Sequence, residues 1–322
     1  MRYIRLGRTN AEVSAVSLGT WGYSGPREVN GTAVGWSGHD DELARRAMIR
    51  AWESGINHWD TADVYGDGRS ESLIGSMWET VPRDEIFLAT KVGWDPGAFG
   101  HYYHPELIRD RVVRSLLNLR TDVIDLYYLH HCDFGPNGDY FDDAIAVLRS
   151  LRDEGSVRFI GMSDWDSAKI MRFIDRAEPD VVQPYRNVVD DTYESSGLRG
   201  WIEKHDAGVA FFSPLMHGLL LGKYDAPTEF PEGDFRRRIE QFRDPEFIAR
   251  MKRARGAMES RFPEHPSPVL HAIVGAILSD APTGCALLGQ RNPDQVQAAA
   301  SVGDALDAET ASWVRSVYRG ET

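Results

Sequence analysis

Eight short apolar runs, each followed by a longer stretch of helical periodicity, constrain this chain more than any other feature. They are "AVSLGT" (15–20), "INHWD" (56–60), "IFLATK" (86–91), "VIDLYYLH" (123–130), "RFIGMS" (158–163), "VVQP" (181–184), "VAFFSP" (209–214) and "CALLG" (285–289). Several are apolar on both faces, as strands of a sheet covered on both sides must be. Eight such strands alternating with helices, with no interdomain linker, predict an α/β chain folded as one (β/α)8 TIM barrel over residues 1–322, in preference to an open doubly wound sheet. The opening "YIRLGRTNAEVSAVSL" holds two strand-like arms around "GRTNAE". The first arm is expected to be half of an N-terminal β-hairpin closing the barrel floor, and the second to lead into the first barrel strand.

Punctuation between the strands supports the helices. "DDELARRAMIRAWESG" puts Leu43, Ala47, Met48, Ala51 and Trp52 on one stripe and stops at Gly55. "HPELIRDRVVRSLLNL" carries Pro105 in its first turn, where a missing amide hydrogen costs nothing. "DDAIAVLRSLRDEG" ends at Gly155, "GLRGWIEKHDAG" at Gly208, and "NPDQVQAAA" opens on an Asn and a Pro. The charged, irregular stretch 222–262 is expected to be a long functional loop on the cofactor side.

A net charge of −13 and the absence of a basic stripe argue against nucleic acid as a partner. No apolar run reaches membrane-spanning length, and the N-terminus lacks a signal peptide's apolar core. Cys132 and Cys285 are far apart, which argues against a disulfide framework or a metal site and for a reducing, cytoplasmic setting.

In such a barrel, chemistry sits where the strands end. Those ends carry Gly19-Thr20-Trp21, Asp60 with Tyr65, Lys91, His130, Ser163-Asp164, Gln183, Ser213 and Gly289. A single Asp there is usually a helix cap, a single Tyr usually core, and a Lys usually faces solvent. Four titratable groups delivered by three consecutive strands to one rim point elsewhere, to protonation of a carbonyl oxygen during hydride transfer. A free phenol, with a pKa of about 10, is a poor acid at neutral pH. A neighbouring ammonium is expected to lower that value, and a carboxylate to keep the ammonium charged. Asp60, Lys91 and Tyr65 supply that trio, and His130 is placed to donate a hydrogen bond to the carbonyl oxygen.

These segments resemble the aldo-keto reductase family. "GINHWDTADVYGDGRSESLIG" is similar to its first signature, "IFLATKVG" to its lysine strand and "DVIDLYYLHHCD" to its histidine strand. "RFIGMSDW", "VVQP", "FFSPLMHGLLLGKYD" and "LLGQRNPDQV" follow in the family's order. The resemblance spans nearly the whole chain. It implies a reversible NAD(P)H-dependent reductase of aldehydes and ketones, with a tetrad on Asp60, Tyr65, Lys91 and His130 and Tyr65 as proton donor. It also implies a coenzyme bound extended across the barrel mouth, consistent with the lack of any G-x-G-x-x-G or Walker sequence; "YGDGRS" reads as a turn.

Carried over by residue, Ser163 and Gln183 match positions that grip the nicotinamide carboxamide. Ser213, Leu215, Gly218, Leu219 and Lys223 match the pyrophosphate loop, and Gly19, Thr20 and Trp21 are expected to bind the coenzyme as well. Gly289, Arg291 and Gln295 match the adenosine end, where Arg291, with the arginines at 236–238, favours NADP(H) over NAD(H). Three positions depart from the family pattern. Asp164 stands where an asparagine is usual, Arg186 where an aromatic stacks on the nicotinamide (with Tyr185 as a shifted replacement), and Ala299 where an asparagine meets adenine. Trp21, Trp94 and His131 are expected in the substrate pocket. The rim also carries Phe99, His101, Tyr102, Tyr103 and Trp165, which suggest an aromatic or glycosidic carbonyl substrate or, equally, packing of the loops. Cys132 reads as structural. Two other readings stay open: a coenzyme-binding regulatory subunit, as the family's potassium-channel β-subunits illustrate, and an isomerase or epimerase that uses the nicotinamide transiently.

Overall fold

A computed structural model describes residues 1–321. The strands Val16–Gly19, His58–Asp60, Phe87–Val92, Ile124–Leu129, Val157–Asp164, Val181–Pro184, Gly208–Phe211 and Gly284–Gly289 pair in parallel and close into a barrel. Each lies on one of the eight apolar runs. Every residue of Phe87–Val92 and Ile124–Leu129 is buried, as strands walled by side chains within and helices without require.

Below the barrel, Tyr3–Arg5 pairs antiparallel with Glu12–Ser14. The hairpin turn seats on the seventh strand: Gly7 adopts φ +51°, and a Cβ there would lie 2.2 Å from the backbone nitrogen of Gly208. Glycine is required at that contact on both counts.

Helix Asp41–Glu53 is capped by Asp40, which accepts from the Leu43 amide, and buries Ala44, Ala47, Met48 and Ala51. Leu43 is not in the buried stripe but 37% exposed, because the stripe starts one residue later. Helix Leu198–His205 stops at Asp206 (φ +51°) rather than at Gly208. Gly208 has already entered its strand, where Leu6 presses within 2.8 Å of where a Cβ would stand.

The stretch 222–262 is loop only in its first half. Asp244 accepts from the Glu246 and Phe247 amides and starts a 17-residue helix, Pro245–Arg261. That helix buries Phe247, Ile248, Met251, Ala254 and Met258, while the charges that obscured its period lie mainly on its other faces.

Two excursions meet above the rim. After the first barrel strand, a small hairpin pairs Glu28–Val29 with Thr32–Ala33. The strap before Pro245 bridges to it through Gly35 and Asp234. Phe235 N donates to the Gly35 carbonyl at 3.0 Å, and Arg27 N to that of Gly233 at 3.2 Å.

Candidate active site

Lys91 lies near the end of its strand, 1% exposed. Its ammonium donates to Asp60 Oδ1 at 2.5 Å and to the Thr61 carbonyl at 2.7 Å. Gln183 Nε2 donates to the other carboxylate oxygen at 2.8 Å. Burial pulls Lys91 below its ordinary range, and the adjacent Asp60 opposes that shift.

The turn after Asp60 is stitched to the lysine strand: Thr61 N donates to the Ala89 carbonyl at 2.9 Å, and Asp63 N to that of Lys91 at 3.1 Å. It closes through Gly68 N to the Asp63 carbonyl at 2.8 Å, which swings Tyr65 over the rim. The ammonium sits 5.3 Å from the centre of the Tyr65 ring. His130, one residue past its strand, meets Tyr65 edge-on at 5.9 Å between ring centres. Burial, then Lys91 and His131, push His130 well below the usual imidazole range, so the ring is neutral.

The expected pull of the ammonium on the phenol does not dominate. Burial, followed by Asp60 and Asp63, raises Tyr65 well above its ordinary value. Two of the three ammonium N–H groups of Lys91 go to Asp60 and Thr61, and no bond to the phenol oxygen forms among the described residues. Tyr65 is therefore protonated at neutral pH, the form a proton donor needs. An ammonium 5.3 Å from the ring centre is placed where it would stabilise negative charge on the phenol.

A cavity of about 650 Å³ runs from this constellation across the barrel mouth. Trp21, Val34, Val64, Trp94, Tyr65 and His130 wall one end. Ser163, Gln183, Ser213, Leu215 and Gly218 lie on the way, with Gly19, Thr20 and Asp60 at the strand ends. Lys223, Gly289, Arg291, Gln295 and Ala299 line the rest. Ser213 and His217 adopt φ of +59° and +57°, backbone strain of the kind that collects at ligand clamps, and Gly218 takes φ +88° without it.

Several expected pocket residues lie elsewhere. Arg186 is turned away from the mouth: its guanidinium stands 4.2 Å from the Tyr193 ring centre and 4.7 Å from that of Phe211. It donates to Asp280 at 2.8 Å and to the Ile277 carbonyl at 3.1 Å. Tyr185 does not replace it; it packs on Trp165 and Phe212, and these two line the cavity. Asp164 is occupied by the Cys132 amide at 2.7 Å and the Asp166 amide at 2.8 Å, so it ties two loops together. Leu219 is buried beneath its loop. His131 is buried behind Trp94, its Nδ1 accepting from the Asp133 amide, and burial pushes it down to about 4. His101 stacks on Tyr140, Phe99 on His104, and Tyr103 donates to the His131 carbonyl, so these aromatics pack the loops. Cys132 is buried, with its thiol pushed up by burial.

Others were not legible. Trp36, Phe212, His217 and Phe235 all line the cavity, and Arg236, from the arginine run expected to favour NADP(H), joins them. Trp36 sits in a Gly-rich segment that carries no strand or helix signal.

The far end is cationic. Burial lowers Lys223, and Arg291 and Arg236 lower it further; burial and Arg236 do the same to Arg291. Three half-buried or exposed cations gathered along one wall of the cavity favour an anionic group between them. Gly289 leaves open space where a Cβ would stand, and a Cβ on Gly22 would strike Arg291 at 2.6 Å. Amide-binding groups beside the acid constellation, a long channel and a cationic end fit a nicotinamide dinucleotide.

Residues 15–319 match the sequence model of the Aldo/keto reductase family. The chain belongs to the aldo-keto reductase family. It is similar to aldo-keto reductase YhdN of Bacillus subtilis, 29% identical over 314 residues that cover 96% of this chain and 91% of that protein. It is also similar to the NADH-specific methylglyoxal reductase of Escherichia coli, 30% identical over 234 residues, 69% of this chain and 70% of the other. Among solved structures, the glycerol dehydrogenase of Gluconobacter oxydans superposes with a TM-score of 0.79 at 30% identity, covering 98% of this chain and 94% of that one. This aldo-keto reductase is accordingly an NAD(P)-dependent oxidoreductase of small-molecule carbonyls. Relatives named as reductases and dehydrogenases do not favour the regulatory or isomerase readings.

Proposed function

We propose that Tyr65 is the proton donor in carbonyl reduction, with Lys91 and Asp60 supporting it and His130 orienting the carbonyl oxygen. The observation that carries this is the buried Lys91–Asp60 pair at 2.5 Å under the Tyr65 ring. Ser163 and Gln183 would hold a bound nicotinamide, which would supply a hydride for the carbonyl carbon. Tyr65 gives its proton to the oxygen, and the neutral His130 holds that oxygen by a hydrogen bond. Trp21, Trp94, Val34 and Val64 exclude water from that end.

The coenzyme is NADP(H) rather than NAD(H), on the strength of Arg291, Arg236 and Lys223 around the anionic end. The substrate is a carbonyl compound with an aromatic or glycosyl face, because Trp21 and Trp94 offer flat apolar walls. The two buried free thiols fit a reducing, cytoplasmic setting.

Tyr65→Phe is expected to lower kcat by 10²-fold or more, on the order of a lost general acid, with coenzyme affinity unchanged. Fluorescence titration with NADPH and NADH tests the preference, and Arg291→Ala should narrow it. Full turnover by Tyr65→Phe would remove the assigned role.

A further inference from the structure

Asp60 is engaged through both its oxygens. Lys91 donates to Oδ1, and Gln183, from the sixth barrel strand, donates to Oδ2 at 2.8 Å. Gln183 is 2% exposed, yet it borders the cavity beside its strand neighbour Ser163. A carboxylate facing an ammonium only accepts, so the end of Gln183 turned toward it has to be the NH2 group. That fixes the other end. The carbonyl oxygen is what Gln183 offers the pocket, and it can accept a hydrogen bond but never donate one.

We propose that Gln183 is a positioning residue that couples the coenzyme's carboxamide to the Asp60–Lys91 pair. This rests on the reading that Gln183 meets the nicotinamide end. The carboxamide donates an N–H to the Gln183 carbonyl. That bond polarises the amide and strengthens its own donation to Asp60, as linked hydrogen bonds do at low dielectric. Asp60, better satisfied on Oδ2, then holds Lys91 less firmly on Oδ1. The ammonium becomes more available to the phenol only when coenzyme is in place. Coupling of this kind is reciprocal, so the state of Asp60 must feed back on coenzyme affinity. A Gln183 that merely satisfies a buried carboxylate would show no such feedback.

The test compares the parent coenzyme with its 3-acetylpyridine analogue, whose methyl ketone has no N–H to donate. Dissociation constants come from tryptophan fluorescence without turnover, and the readout is the ratio of analogue to parent. Wild type should favour the parent about fivefold, the scale of one hydrogen bond. Gln183→Met should bring the ratio near one. Asp60→Asn, a weaker acceptor, should lower it by half or more, while Lys91→Met, which leaves Asp60 leaning on Gln183, should raise it.

A ratio abolished by Gln183→Met but unmoved by both acid-pair variants means a grip without coupling, and the inference falls while the coenzyme reading stands. A ratio that survives Gln183→Met also overturns it. Wild type that binds neither dinucleotide overturns the coenzyme reading itself. Where the acid-pair variants do not fold, the side-chain amide protons of Gln183, assigned by their loss in Gln183→Met, decide in the wild type. The parent should move the proton facing Asp60 downfield and the analogue should not; equal shifts would sink the proposal.

Discussion

Taking Lys91 and Asp60 out of water costs several kcal/mol per ion, offset by their mutual attraction and by Thr61 and Gln183. Lys91→Met leaves a buried carboxylate with one neutral donor and should destabilise the fold by about 3–5 kcal/mol. Adding Asp60→Asn should recover part of that loss, so the double variant melts above the single one in urea; a double variant less stable than Lys91→Met would contradict the pairing. Two residues ahead of Tyr65, Asp63 is a different case. It is buried with Oδ1 unpartnered among the described residues, and Arg111 stays 3.9 Å away. Burial, then Glu71, pushes it up to about 7. A carboxyl raised in the folded state binds its proton more tightly there than when unfolded, so its contribution favours folding at low pH. Stability attributable to Asp63 should fall as pH rises from about 4 to about 7, by at most about 1.4 kcal/mol per unit, and then level. Asp63→Asn removes this slope, and urea midpoints that run parallel for variant and wild type between pH 5 and 8 would discount it. At this scale the sequence pointed to Asp60, Lys91 and His130, because each stands at or beside a strand end where an apolar run stops, and to Tyr65 one short turn beyond Asp60. Arg186 was illegible, since its direction is decided by Asp280, 94 positions later.

The roof over the cavity depends on one carboxylate. Asp234, fully buried, accepts from Ser37 N and Oγ at 2.9 and 2.5 Å and from Arg236 N, Nε and Nη2 at 2.9, 3.0 and 2.7 Å. Burial pushes its pKa up, but these bonds outweigh that and hold it at about 2. Asp234→Asn swaps a charged acceptor of five bonds for an amide whose nitrogen must face donors. The expected result is a looser strap: coenzyme dissociation in stopped flow faster by roughly tenfold, the scale of a lost charge-assisted bond, with protease nicking near residues 26–38. An unchanged off-rate would show that the strap does not gate release. None of this was visible beforehand, because neither the small hairpin nor the strap carries a repeat, and the bonds that join them, such as Ser37 to Asp234, link residues 197 positions apart. The helix Pro245–Arg261 is another matter. Its start was written in "DPEF", an Asp cap followed by Pro and Glu, and that cap outweighs a weak apolar stripe.

At the scale of the molecule, the barrel was readable because each parallel strand must be apolar on both faces, and closure then follows from eight of them. The coenzyme channel was readable only in part, since its walls come from loops whose contacts are long-range. The same architecture separates two tasks: chemistry gathers at the strands' C-terminal ends, and the hairpin secures the opposite end. That separation can be broken apart experimentally. Gly7→Ala places a Cβ 2.2 Å from Gly208 N on a backbone of φ +51°, so it combines a clash with left-handed strain. It should cost about 2–4 kcal/mol, read as a lower urea midpoint. Below that midpoint, kcat per coenzyme-titrated site should stay within about twofold of wild type, because strands packed as tightly as a barrel interior shift little when its floor is strained. Tyr65→Phe should do the reverse, with activity lost and midpoint kept. A Gly7→Ala protein that keeps its midpoint yet loses turnover would mean that floor and rim are mechanically linked, and that the hairpin takes part in setting the geometry around Lys91.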